Sequence, residues 1–411
     1  MAVCEILSVG TEILLGDILN TNSQYLSRAL AGMGISVLHH TTVGDNHARL
    51  AQAVREALGR SDIIIATGGL GPTADDITAE VCCKEFGFEL EFNKEIADGI
   101  KKYFDSRGME MPETNLKQAY VPKGGEAFEN PMGTAPGMGM KKGGKCLVIL
   151  PGPPHEMSVI FTQSVVPYLA EYSSCTIISH EIRTMGIGES ALAELCSDLL
   201  DGENPTVAPY CKIGEALLRV TARAENAEAA EKLAAPVIEE IKSRAGEYIY
   251  GIDCDNIEGA VIPALKEAGL TVATAESCTA GLVAKRLTDI PGASAVFSHG
   301  VITYANEVKE KALGVKHETL EKFGAVSEET AREMAQGIRR VSGADIGVSV
   351  TGFAGPDSDE PGKALGLMYV ALDCDKCSLC EKLETGKADR NFNRTFAASR
   401  ALHLIIKALK G

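Results

Sequence analysis

Thr274-Ala-Glu-Ser-Cys-Thr-Ala-Gly281 sets a serine and a cysteine side by side between a strand-like run and a helix-like one. A hydroxyl at such a junction can project from the chain while backbone N–H groups at the helix start face any negative charge that develops beside it. A neutral serine is a weak nucleophile and needs a base to take its proton. Neither His299 nor His317 stands in a catalytic context, and Lys309, in Tyr304-Ala-Asn-Glu-Val-Lys309, is the better candidate. With a helix beginning near Asn306, Tyr304 stands at its entrance and Lys309 one turn inside. A lysine serves as a base only where burial or a neighbouring cation lowers its pKa. On spacing alone the commoner role of Ser277 is a helix N-cap and that of Lys309 a solvated surface residue. Cys278 is a rival nucleophile, since a thiol at a helix N-terminus can be activated.

Two further stretches carry chemistry. Thr351-Gly-Phe-Ala-Gly-Pro-Asp357 is a glycine loop after a strand, suited to close approach by a nucleotide or to a plain turn, and Arg390 and Arg394 open the last helix. Thr67-Gly-Gly-Leu-Gly-Pro-Thr-Ala-Asp-Asp-Ile-Thr78 joins a buried strand to a helix. There Gly68, Gly69 and Gly71 let the backbone approach an anion at a helix N-terminus. Asp75 and Asp76 would repel a phosphate unless a divalent cation lay between, and Asp45 could reach the same sheet edge. Without a ligand, the acidic pair is a dipole-friendly cap. Cys374, Cys377 and Cys380 form a C-x2-C-x2-C run between two strands. It lacks the fourth ligand that zinc or an iron–sulfur cluster needs, and reads as a cysteine-rich hairpin.

The elements that must position these residues are α/β throughout. From residue 3 to about 170, short apolar runs (3–9, 35–43, 62–67, 146–150) alternate with helical periodicity (22–33, 46–58), which predicts a parallel sheet with helices on both faces. Residues 175–252 read strand (176–185), helix (189–200), two strands (206–210 and 215–222), helix (227–244), strand (248–250), a small α+β module. A third α/β segment follows. Its helices are expected at 257–268, 279–288, 306–312, 327–341 and 389–409, with strands at 270–275, 295–304, 345–350, 366–373 and 379–385. Three domains are expected, at 1–172, 173–252 and 253–411.

The chain has 411 residues, 45% hydrophobic and 23% charged, no tryptophan and a formal charge of −16. That is enough apolar material for real cores, mostly aliphatic. So acidic a surface, with no dense basic run, argues against nucleic-acid and anionic-membrane partners. No apolar run reaches the ~20 residues a membrane span requires. The first residues have no basic region followed by an apolar stretch, and the cysteines are scattered through apolar runs, so a cytoplasmic protein with reduced thiols is expected.

TAESCTAG, SHGVITYANEVKEKALGV, FGAVSEET and TGFAGPD together resemble the CinA C-terminal family, the bacterial nicotinamide mononucleotide deamidases, over essentially all of 255–411. The resemblance implies hydrolysis of the carboxamide of nicotinamide mononucleotide to nicotinate mononucleotide and ammonia without a metal. It implies Ser277 as nucleophile assisted by Lys309 and Tyr304, with Glu276, Cys278, Thr279, Gly281, Thr351, Gly352, Gly355, Arg390 and Arg394 around the substrate. One departure is visible: the family usually has Gly-Gly after the threonine, where this chain has Ala280-Gly281. An ordinary helical position, the expectation here, tolerates alanine; a positive φ would not.

VGTEILLGDILNTNSQYLSRAL, VGDNHARL and TGGLGPTADDITAE look like the CinA N-terminal domain, related to the MogA and MoeA molybdopterin-binding fold, over roughly 3–170. That likeness implies metal-dependent hydrolysis of the diphosphate of ADP-ribose, with Asp45 and Asp76 at the functional site. With Asp75 they are the expected ligands of a divalent cation (Mg, Mn or Co), pterin binding being the second reading and an inactive scaffold the third. The middle module resembles the KH-like insert of full-length CinA proteins. Its Gly186-Ile-Gly188-Glu189 turn falls short of the basic Gly-x-x-Gly loop that clamps RNA. Homodimerisation is a further implication of the family, and a non-catalytic adaptor linked to competence is the rival class.

Overall fold

The computed structural model describes residues 2–173, 175–356 and 364–410; Asp357, which closes the TGFAGPD run, lies outside them. The chain divides into two compact units, residues 1–179 with 222–233, and residues 180–221 with 234–411.

Ile63-Ile-Ile-Ala-Thr67 is buried at every position, as a strand covered on both faces must be. It is β3 of the first unit, which begins β1 (Val3–Val9), α1 (Thr11–Leu15), α2 (Thr21–Gly32), β2 (Ser36–Val43) and α3 (His47–Arg60). After β3 come α4 (Thr78–Phe86), β4 (Leu90–Phe92), α5 (Lys94–Asp105), β5 (Tyr120–Pro122), β6 (Glu126–Phe128), β7 (Gly137–Lys142), β8 (Lys145–Leu150), α6 (Pro154–Ile160) and α7 (Val166–Tyr168). The six-stranded sheet runs β2-β1-β3-β8-β7-β6; its first four strands are parallel, and β7 returns antiparallel to β8. Alternation along β1 and β3 sends Ile6, Ile63 and Ile65 to one face with Leu26, Leu30 and Phe161. Leu7, Ile64 and Ala66 go to the other with Leu50, Val54 and Val81. Asn20 and Asn46 start α2 and α3 by accepting from the amides of Ser23 and Arg49, each at 3.1 Å. Glu5 is fully buried in β1, where Arg60 grips it at 2.7 and 2.8 Å and Thr41 donates at 2.7 Å.

The α+β segment between residues 173 and 252 is shared between the two units. It comprises β9 (Thr176–Met185), α8 (Glu189–Leu195), α9 (Ser197–Leu200), β10 (Thr206–Lys212), β11 (Glu215–Ala224), α10 (Ala227–Ala245) and β12 (Ile249–Ile252), in a sheet of order β10-β11-β9-β12. The single helix expected over 189–200 breaks at Cys196, whose φ of −117 takes it out of the helical range.

In the rest of the second unit α11 (Ile257–Ala268) precedes β13 (Val272–Glu276), α12 (Leu282–Thr288) and β14 (Phe297–Ile302). Then come α13 (Asn306–Leu313), α14 (His317–Phe323), α15 (Glu328–Ser342), β15 (Ile346–Gly352), β16 (Leu367–Cys374), β17 (Ser378–Glu384) and α16 (Arg390–Lys410). The sheet order is β14-β13-β15-β16-β17, parallel from β14 to β15 and antiparallel beyond. Beside β13, Glu276 stands opposite Ile302 of β14 and Val350 of β15, with a register shift between Val272 and Ala273 on the β14 side. Val272, Val348 and Val350 pack on one face with α11, α12 and α16, and Ala273 and Ala275 on the other with α13, α14 and α15.

Two expectations fail here. The helix predicted from 279 begins at Leu282, and Ala280, expected to be an ordinary helical residue, has φ of 50 with Gly281 at 90 behind it. Both lie in the left-handed region, so the chain makes a tight turn before the helix starts, and alanine occupies the kind of position that favours glycine.

Candidate active site

Ser277 is the first residue past the end of β13. Its amide donates to Val350 O at 2.9 Å, and the amide of Thr303, just past β14, donates to Glu276 O at 2.8 Å. The three strand ends are thereby tied together, and α13 brings Lys309 back over them. Lys309 is 1% exposed. Its Nζ donates to Thr303 O at 2.9 Å and Tyr304 O at 3.4 Å, and lies 3.4 Å from Ser277 Oγ. Burial pulls the ammonium below its ordinary value, and Cys278 nearby opposes the shift. Two of the three contacts are carbonyls, which only accept. Once neutral, the amine keeps its two N–H bonds for them and turns its lone pair to the partner that can donate, the serine hydroxyl. That arrangement can take a proton from Ser277.

Cys278, the rival nucleophile, is buried, and burial pushes its thiol up to about 12. Thiolate is the nucleophilic form of cysteine and burial disfavours it, whereas Ser277 has the Lys309 amine beside its hydroxyl.

A cavity of about 340 Å³ opens on this pair, lined by Ser277, Cys278, Tyr304, Lys309, Val326, the backbone run from Thr351 to Pro356, and Arg390. Thr351, Gly352 and Gly355 are thus where the glycine-loop reading put them. Thr351 Oγ1 donates to Ala325 O at 2.7 Å and pins the loop. Arg390 donates to Gly355 O at 2.8 Å and to Tyr304 Oη at 3.1 Å, placing a cation on the cavity wall. Tyr304 is 61% exposed; its backbone carbonyl reaches Lys309 while its hydroxyl serves Arg390.

Four residues assigned to the substrate are not in the lining: Glu276, Thr279, Gly281 and Arg394. Glu276 faces away from the cavity as the cap of α12, accepting from the amides of Val283 at 3.0 Å and Ala284 at 2.9 Å. The first-turn amides expected to face the reaction are therefore taken by a carboxylate. Arg394 donates to Thr279 O at 2.8 Å and holds the turn from behind. The expected N-cap role of Ser277 is displaced too, since Gly281 is the residue preceding α12. Asn393 escaped sequence reasoning. Fully buried, it donates to Ala354 O at 2.9 Å and Lys387 O at 2.7 Å, fixing the loop over the cavity. Its signal was a polar side chain at helical spacing with Ala397, Ala401, Leu404 and Ala408 on the buried side of the last helix.

In the first unit, Gly68, Gly69, Gly71, Asp45, Asp75 and Asp76 all line one cleft of about 530 Å³ at the carboxyl ends of β1 and β3. The approach is close: at Gly68, with φ of 102, an added Cβ would lie 2.1 Å from Val9 O. Glu12, Asn20, Asn22, Gln118 and Glu156 line the cleft as well. The acidic residues are engaged locally. Asp45 accepts from the amide of Thr11 at 3.0 Å and its hydroxyl at 2.8 Å. Asp76 accepts from the amide of Thr73 at 2.8 Å, and the Thr73 hydroxyl bonds Asp75 and Asp76. Among the described residues no three His, Cys, Asp or Glu side chains converge as a metal would require, so Asp45, Asp75 and Asp76 are not a preassembled ligand set.

No helix among the described residues is long and apolar enough to cross a membrane. The probable molybdopterin binding domain model matches residues 5–171, the damage-inducible protein CinA KH domain 179–251, and the CinA C-terminal domain 254–409. A CinA-like protein of Kosmotoga olearia is 50% identical over 98% of both chains. A putative competence-damage inducible protein of Clostridium perfringens is 47% identical over 99% of this chain and 98% of its own. The crystal structure of competence/damage inducible protein CihA from Agrobacterium tumefaciens matches at 40% identity and a TM-score of 0.37, covering 38% of this chain and 94% of that one. With half its residues identical to a relative of almost equal length, this chain belongs to the CinA-like, competence-damage inducible protein family.

Proposed function

We propose that the C-terminal segment hydrolyses the carboxamide of nicotinamide mononucleotide to nicotinate mononucleotide and ammonia. The observation that carries the reading is the contact of buried Lys309 with Ser277 Oγ, its other two contacts being carbonyls. Neutral Lys309 takes the serine proton as Oγ attacks the amide carbon, then returns it to the departing nitrogen as ammonia leaves. Water repeats the cycle on the acyl-serine. The backbone amide of Cys278, a residue that lines the cavity, is the donor for the oxyanion in this reading, those of Val283 and Ala284 being occupied. Arg390 supplies the positive charge for the phosphate.

The test is ammonia release from nicotinamide mononucleotide by wild type and Ser277→Ala, with and without EDTA. Turnover that survives EDTA and vanishes in the variant supports the scheme. Absence of turnover in folded wild type would sink the deamidase reading, and full activity in Ser277→Ala would overturn the nucleophile.

The glycine-lined cleft of the first unit favours a second activity, on a diphosphate-bearing nucleotide such as ADP-ribose. Backbone approach at Gly68–Gly71 suits a phosphate. No step is assigned to a cation, since its ligands do not converge; the test is whether cleavage of ADP-ribose depends on added Mg, Mn or Co. Pterin binding without cleavage is the outcome that would replace it.

A further inference from the structure

The cysteine-rich run has a use that neither site absorbs. Cys374 and Cys377 flank a two-residue turn, Asp375-Lys376, at the tip of the β16–β17 hairpin. The amide of Cys374 donates to Cys377 O at 2.9 Å, and the ladder continues with Asp373 opposite Ser378. The two thiols face one another with Sγ atoms 3.4 Å apart, and both are partly exposed. Cys380 belongs to the opposite face of the sheet, packed with Ala331, Ala335 and Ala371, whereas Cys374 and Cys377 pack with the α11/α16 side. Arg339 from α15 bonds Asp373 at 3.2 Å and also bonds Asp375, bracing the turn that holds the thiols together.

We propose that Cys374 and Cys377 form a reversible dithiol–disulfide site that exchanges with low-molecular-weight disulfides. Directly opposed residues in a hydrogen-bonded antiparallel pair have Cα atoms about 5.5 Å apart, within the range a disulfide spans. The sulfurs, 3.4 Å apart, have to close to the roughly 2.0 Å of a disulfide. The exchange balances without another oxidant. One thiolate attacks a disulfide RSSR, forming a mixed disulfide and releasing RS⁻. The second thiolate then attacks the protein sulfur of that mixed disulfide, closing the Cys374–Cys377 bond and releasing a second RS⁻. The two protons lost by the protein go to the two released thiolates, so the protein is oxidised by two electrons and RSSR is reduced to two RSH. Because the second thiol is already in place, the mixed disulfide does not accumulate.

The site is separate from Ser277. Cys374 pairs with Ile346 at the start of β15, six residues from Gly352 at its far end, or about 20 Å along the strand. The proposal therefore stands or falls independently of amide hydrolysis.

The experiment equilibrates the full chain with mixtures of reduced and oxidised glutathione, quenches with acid, alkylates free thiols and maps the peptides by mass. Exposed Cys211 is the single-thiol reference. The expected result is a peptide spanning 374–377 that is lighter by two hydrogens and carries no glutathione, while Cys211 carries one; dithiothreitol restores both thiols. Cys377→Ser should convert this to a stable glutathione adduct on Cys374. Persistent glutathione on Cys374 or Cys377 in wild type would overturn the proposal. So would two free thiols under conditions that fully modify Cys211.

Discussion

Replacing Ala280 by glycine tests the turn that presents Ser277. Ala280 sits at φ of 50, its amide donating to Ser277 O at 3.1 Å. A left-handed conformation costs an L-residue about 1–2 kcal/mol. Glycine removes that cost but gives back about 0.5–1 kcal/mol in unfolded-chain entropy. The difference is a net gain of about 0.5–1 kcal/mol, which for a domain of this size raises Tm by about 1–4 °C. The assay is scanning calorimetry of the full chain, with Ala284→Gly as a control of opposite sign. That residue is inside α12, where glycine costs about 1 kcal/mol. The substitution at 280 leaves the turn geometry in place, so kcat/KM for ammonia release should stay within about twofold, less than 0.5 kcal/mol of barrier. A lower Tm for Ala280→Gly, or one falling in step with Ala284→Gly, would refute the claim that position 280 is strained. An unchanged Tm with activity lost would mean that alanine itself contacts the substrate.

In the proposed scheme Lys309 acts as the neutral amine, so kcat/KM should fall as pH drops below its lowered pKa, and Lys309→Gln should lose about 10²–10⁴-fold, read from a pH–rate profile. The same lowering makes the folded chain hold fewer protons than the unfolded one. The burial penalty is therefore largest below the folded pKa and fades as pH climbs toward the ordinary lysine value of 10.5, a slope that Lys309→Met removes from urea midpoints measured against pH. Arg390→Ala should raise KM for nicotinamide mononucleotide about 10–100-fold, the worth of a charged hydrogen bond, and do so far less for the riboside without phosphate. At Glu5, burial raises the carboxyl, but hydrogen bonds from Arg60 and Thr41 outweigh it and hold the pKa below 4.5. Its contribution is present above 4.5 and lost as pH falls through the lowered value, so Glu5→Gln should flatten the acid limb of the first unit's stability.

What was legible in the sequence were elements whose own residues decide them. Ile63–Thr67 reads as a buried strand because nothing polar interrupts it before Gly68, and both β9 and α11 fall where period and caps put them. Short elements escaped. α14 has seven residues, too few to show a period, and α1 has no buried residue at all. α5 was overlooked although Asn93 caps it by accepting from Glu95 and Ile96, a local signal that was there to use. In the site, residue types were readable and directions were not. Ser277 and Lys309 could be nominated, but which way Glu276 turns depends on where α12 starts, and that depends on the backbone angles at Ala280 and Gly281. Nor could the sequence show that Thr11 and Thr73 hold the carboxylates of Asp45, Asp75 and Asp76 to their own loops, with no converged cluster among the described residues.

The register that sets Glu276 beside Ile302 has a consequence for how this protein comes into being. Ser277 hangs from β13 and the Lys309 tether from β14, two parallel strands joined by a crossover through α12. Parallel pairing across such a crossover is entropically late, because the loop must close before any ladder bond forms. A slip of one residue would displace the serine by about 3.3 Å along the strand and break its 3.4 Å contact with the lysine. Catalytic competence is therefore among the last properties the refolding chain acquires. Recovery of ammonia release after dilution from denaturant would time the docking of that crossover, and a lag behind the return of helical signal would measure how long the chain searches for the one alignment that works.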